Sequence, residues 1–159
     1  MDLRKTTLAL VTCALIFAPC AASATESDHA AVMAVVHQFV DGFNKADLNE
    51  MTSTCERSAS IIDDFAPHIW TGANACAYWY KAFVVWAKAN HYTENTVTPG
   101  KPWQLMIDGD HAYAVVPAKY TWLQDGKPGQ LLGSVMTLAL DKTKTGWLIM
   151  GWAWGDGPG

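Results

Sequence analysis

The chain has 159 residues, half of them hydrophobic, with 15 acidic against 11 basic residues and a formal net charge of −4. That balance excludes a basic surface able to neutralise nucleic-acid phosphates. The length leaves room for one domain with a sizeable core.

The first residues read as a leader. Arg4 and Lys5 form a basic head. Residues 8–18 (LALVTCALIFA) form an apolar run too short to span a bilayer comfortably. Ala22, Ser23 and Ala24 then place small residues at cleavage spacing. We expect a signal peptide over residues 1–24, a single domain over 25–159, and a periplasmic or secreted protein. No later run is apolar enough for a membrane helix. Two cysteines follow the leader, Cys55 and Cys76. An oxidising compartment permits a disulfide between them; two buried thiols are the alternative. All eight tryptophans also follow the leader, and so much indole suggests an apolar cavity with N–H handles.

Val32, Val35, Val36, Phe39, Val40 and Phe43 recur at three- and four-residue steps and predict a helix that starts near Ser27 or Asp28 and stops at Asn44. Asp47, with Glu50 three residues on, predicts a capped second helix ending near Cys55 or Arg57. Asn44 and Asp47 have sufficient structural work in ending one helix and starting the next. Residues 58–63 (SASIID) predict a short strand, and Pro67 makes the next segment a rigid loop. Residues 75–90 predict a third helix with Trp79, Ala82, Phe83 and Trp86 on one face. The remainder predicts strands over residues 96–108, 112–124, 130–141 and 147–155, joined by Asp-Gly, Pro-Gly and Gly turns, as an antiparallel meander. In the second of these, Ala112, Ala114, Val116, Ala118, Tyr120 and Trp122 share a face; in the last, Leu148, Met150, Trp152 and Trp154 do. The fold class is α+β, three helices packed on a curved antiparallel sheet.

Residues 60–70 (SIIDDFAPHIW) carry the candidate chemistry. An apolar run leads into Asp63 and Asp64, and alternation lets only one of them face inward. A carboxylate so placed is partly desolvated, which raises its pKa toward a useful range, and a like-charged neighbour pushes the same way. The alternative is a cap and a solvated acid. Asp63 and Asp64 are the catalytic candidates. His68, Trp70, Tyr78, Trp79, Tyr120 and Trp152 are the pocket candidates, although Trp70, Trp79 and Trp86 also suit a core. Trp154 fits a pocket rim, and residues 155–159 (GDGPG) a tail. His68 is the one histidine close to the aspartates, too few for a metal site, and no metal or other cofactor is expected. No nucleophile triad, P-loop or dinucleotide fingerprint occurs.

Residues 39–51 (FVDGFNKADLNEM), 109–122 (GDHAYAVVPAKYTW) and 146–154 (GWLIMGWAW) resemble the NTF2-like superfamily, in its SnoaL-like and ketosteroid-isomerase-like members. The resemblance spans nearly the whole chain after the leader. It implies a cone of helices wrapped by a curved sheet around a deep pocket, with frequent homodimers. It also implies that Asp63 matches the catalytic aspartate of the isomerase branch. That branch's two oxyanion donors fall on Phe39 and near Met136 or Thr137, none of them a tyrosine or an acid. Tyr78, Tyr120, His68 or a Trp indole N–H are the substitute donors available. The function expected is binding of a small, largely apolar molecule, with lyase or isomerase chemistry through Asp63 or Asp64. The alternative is a dimerisation or partner-binding module whose cavity is filled by its own side chains.

Overall fold

A computed structural model describes residues 26–157 of the chain. The expected leader and its cleavage site lie outside the described residues. Helix α1 (Glu26–Asn44) buries Val32, Val36, Phe39, Val40 and Phe43, the apolar stripe of its sequence. Asn44 ends it with a specific tie. Its side-chain amide donates to the Val97 carbonyl and accepts from the Val97 N–H, both at 2.8 Å, so the helix end is clamped to a distant strand as another strand would be. Helix α2 (Leu48–Thr52) starts at Asp47, whose carboxylate accepts from the Glu50 N–H at 2.9 Å. The two helices meet closely at Gly42: a Cβ there would lie 2.8 Å from the Met51 Cα.

Strands β1 (Cys55–Ile62) and β2 (Ile69–Ala73) form a hairpin that precedes helix α3 (Ala75–Ala89). Strands β3 (Tyr92–Pro99), β4 (Gln104–Asp108), β5 (His111–Gln124), β6 (Lys127–Thr143) and β7 (Gly146–Gly155) complete a curved, unclosed sheet. Its order is β2-β1-β7-β6-β5-β3, with β4 also on β5. All described pairings are antiparallel except β1 with β7, which run parallel. The helices cover one face. Between them and the sheet lies the core, with Met51, Ile61, Leu138, Leu140, Ile149 and Val116 fully buried. A disulfide joins Cys55, at the start of β1, to Cys76, in the first turn of α3. Among the described residues no helix is long and apolar enough to cross a membrane.

Several local expectations need correction. Helix α2 ends at Thr52, because Thr54 turns back on Met51 through both its amide and its hydroxyl and Cys55 is already in a strand. Residues 69–73 are a strand rather than loop, held by register against β1. The strand expected over 96–108 is two, β3 and β4, each paired to a different part of β5. In β7 the inward set is Trp147, Ile149, Trp152 and Trp154, all buried or half-buried, while Met150 is exposed. A bulge at Met150 causes this. Leu140 faces Ile149 and Ala139 faces Gly151, so one extra residue reverses the alternation midway. The inward face expected of β5 is observed, from buried Ala112 to half-buried Trp122.

Candidate functional site

A cavity of about 290 Å³ lies between the helices and the sheet. Helix α1 contributes Phe39, Val40 and Phe43; α3 contributes Trp79, Phe83 and Trp86; the turn after β1 contributes Asp63, Asp64 and Phe65. The sheet supplies Tyr92, Val97, Tyr120, Trp122, Leu131, Met136, Trp152 and Trp154, and Asp156 follows β7. No lysine, arginine or histidine lines it.

The rings form one connected lattice. Trp79 meets Trp152 edge-on at 4.7 Å, and Phe39 packs on both. Tyr92 stacks on Trp122 at 5.1 Å with planes 9° apart. The cross-strand partner of Trp122 is Gly129, and a Cβ there would lie 2.6 Å from the indole Nε1. A glycine at this position therefore lets the indole lie flat over the neighbouring strand. Such edge and offset contacts add to plain area burial and keep the wall rigid.

Asp63 is the one buried acid in the cavity, 8% exposed. It continues the inward phase of Ala59 and Ile61 one step past the strand end, while Asp64 is exposed, beside the cavity it also lines. Its Oδ2 accepts from the Trp79 indole N–H at 2.7 Å and its Oδ1 from the Asp64 N–H at 2.8 Å. The backbone is pinned as well: the Asp63 N–H donates to the His68 carbonyl, and the His68 N–H to the Phe65 carbonyl. Burial pushes the Asp63 carboxyl up to about 7. The two hydrogen bonds oppose that shift, and the nearby Asp64 carboxylate adds to it. A carboxyl at that value both accepts and releases a proton near neutrality. Burial also raises the Tyr120 phenol, with smaller contributions from Tyr92, Asp64 and Asp63.

Of the pocket residues expected from sequence, Trp79, Tyr120 and Trp152 line the cavity. His68, Trp70 and Tyr78 do not. Trp70 is buried against Phe65 on β2, His68 brackets the turn through its contact with the Asp63 carbonyl, and Tyr78 is exposed on the outside of α3. The sequence reading missed Tyr92 and Asp156; Trp122 it placed on the face of Tyr120 without naming it for the pocket. Asp156 belongs to the segment expected to be a tail, yet it accepts from the Trp154 indole N–H at 3.0 Å; a Trp two residues before an acid was the available signal. Donors are largely engaged: Trp79 on Asp63, Tyr120 on Asn95, Trp154 on Asp156. The indole N–H groups of Trp122 and Trp152 are buried without a hydrogen-bond partner among the described residues. Among those residues no three His, Cys, Asp or Glu side chains converge as metal ligands would.

A family model described as a SnoaL-like domain matches residues 32–153. The chain belongs to the SnoaL-like family. Solved structures show the same fold around the SnoaL-like domain. An NTF2-like superfamily protein from Salmonella enterica superposes with TM-score 0.71 at 15% identity, over 86% of this chain and 95% of that one. A ketosteroid isomerase-like protein from Erwinia carotovora gives 0.67 at 15%, over 84% and 100%. A candidate dehydratase of the NTF2-like family from Streptomyces avermitilis gives 0.71 at 12%, over 85% and 100%. At these identities the likeness is one of fold. No protein of curated function matches the SnoaL-like domain by sequence.

Proposed function

We propose that this SnoaL-like domain binds a small, largely apolar molecule in its aromatic cavity and acts on it by proton transfer through Asp63, as a lyase or isomerase would. The observation that carries the reading is a buried carboxyl, poised near neutral pH, on the wall of a cavity that the protein's own side chains do not fill. An open volume of about 290 Å³ favours a ligand over a module with a plugged core. Asp63 is the acid or base; Trp79 and the Asp64 amide orient it; the Asp64 side chain is exposed at the cavity. Phe39 and Met136 line the cavity where the family resemblance looks for oxyanion donors, and neither donates. We therefore expect no turnover of a conjugated steroid enone.

The disulfide and the expected leader support placement in the periplasm or outside the cell. A homodimer is part of the proposal, supported by the exposed Trp103, Met106 and Tyr113, with Met106 and Tyr113 paired across β4 and β5. The experiment is proton–deuterium exchange at carbon acids adjacent to a carbonyl, followed by NMR over a panel of small aromatic and alicyclic ketones. Exchange above background with the wild type and loss with Asp63→Asn support the proposal. Background exchange across a panel whose members bind would remove the chemistry and leave binding alone.

A further inference from the structure

Three carboxylates, Asp63, Asp64 and Asp156, stand around the cavity, and the residues lining it include no basic side chain. None of the three forms an ion pair among the described residues. Two half-buried acids elsewhere on the molecule do find lysines: Glu50 takes Lys45 and Asp28 takes Lys142. Around the cavity the remaining residues are mostly aromatic, with Val40, Val97, Leu131 and Met136 between them, and the faces of such rings carry negative charge density. Tyr92 and Trp122 stack as a flat double platform, and Tyr120 tilts over Trp122 at 4.9 Å. Trp154 meets Tyr120 edge-on at 6.3 Å and donates its indole N–H to Asp156, which ties a carboxylate to the ring wall.

Anionic groups and aromatic faces act in the same sense on a ligand. Both repel an anion, and both attract a cation that has little water to lose. A neutral apolar ligand explains the rings and Asp63, and leaves the Asp64 and Asp156 carboxylates without a role. A metal ion explains the acids and leaves the rings without one. We infer that the molecule taken up by this cavity carries a positive charge: an organic cation, either a quaternary ammonium or a protonated amine, on a compact apolar body. The cation sits against the ring faces with Asp64 and Asp156 as counter-charges, and Asp63 lies deeper on the wall. The raised pKa of Asp63 agrees with this, since a buried carboxyl lacking a cationic partner holds its proton longer. This inference rests on the cavity being a ligand site, and it narrows the chemical class of that ligand.

The test is isothermal titration of the folded, disulfide-bonded protein with three probes at low ionic strength. Choline is the cation. Its carbon isostere, with a tert-butyl group in place of the trimethylammonium, has the same shape without the charge. Indole is the neutral aromatic. We expect choline to bind about tenfold or more tighter than its isostere. Asp64→Asn and Asp156→Asn should each weaken choline several-fold and leave the isostere unchanged; both side chains are exposed, so the variants keep the fold. An isostere that binds as tightly as choline overturns the inference. So does indole binding in the absence of choline binding, which leaves the ligand-site reading standing. Failure of all three probes sinks the ligand-site reading and this inference with it.

Discussion

Replacing Asp63 with asparagine tests the state of the buried carboxyl through stability, with no ligand needed. In the unfolded chain the group titrates at 3.8, and in the fold at about 7. An acid whose folded pKa is raised keeps its proton in the native state at pH values where the unfolded chain has lost it. Its contribution to stability is therefore greatest below 3.8, declines as pH rises through that window, and levels off above about 7. From about pH 5 to about pH 8 the native protein crosses two units of the window, worth about 3 kcal/mol at ~1.4 kcal/mol per unit. The asparagine does not ionise and escapes this loss. It has its own weakness: one amide oxygen has to serve where two carboxyl oxygens accept from Trp79 and the Asp64 amide. An unmade buried hydrogen bond costs about 1–3 kcal/mol. The variant is thus less stable than the wild type near about pH 5, and gains on it by about 3 kcal/mol by about pH 8. Urea unfolding at four pH values, with the disulfide intact and slopes compared, reads both curves. The other ionisable groups around the cavity are common to the two proteins, so the comparison bears on Asp63. Parallel curves would show that Asp63 is an ordinary solvated or ion-paired acid, and the proton-transfer proposal would lose its residue.

Trp79→Phe removes the hydrogen bond that holds the Asp63 carboxyl down, so its titration in carboxyl-detected NMR should move further up, with about 2 kcal/mol lost above neutrality. An unchanged titration would mean the indole contact is incidental. Replacing Cys55 and Cys76 together with alanine opens a loop of 21 residues and should cost about 3 kcal/mol in urea unfolding. Equal stability would indicate that β1 and α3 are held by packing alone. Gly129→Ala drives a methyl group into the Trp122 indole, and should lose about 1–3 kcal/mol along with part of the near-UV circular dichroism. An unaltered aromatic signal would place the Tyr92–Trp122 stack beyond the reach of that strand.

What was readable in the chain was whatever depends on local period. The α1 stripe from Val32 to Phe43 and the α3 face from Trp79 to Trp86 follow from helical spacing, and the β5 face from alternation. Asp63 faces inward for the same reason, being two residues beyond Ile61 and four beyond Ala59. What was not readable depends on partners distant in sequence. Residues 69–73 become a strand because β1 offers them an edge. Met150 bulges where the register of β7 shifts against both β6 and β1, between Ile149 and Gly151. Asp156 and Tyr92 join the cavity only once the sheet curves; Trp154, two residues before Asp156, was the one local signal, and Tyr92 had none. Asn44 shows the middle case: its position as a helix end was legible, its grip on Val97 was not.

Strand β7, the last of the described strands to be synthesised, does not lie at an edge of the sheet. It sits between β1 and β6. Until residues 146–155 leave the ribosome, the β1–β2 hairpin has no bond to the rest of the sheet, and the cavity lacks Trp152, Trp154 and one whole wall. The contacts that seal the domain join strands about ninety residues apart, the kind that form late and slowly. A growing chain therefore has no route to a finished domain, and it carries an open, aromatic-rich sheet edge for as long as it is incomplete. Removing β7 would leave the facing edges of β1 and β6 unpaired.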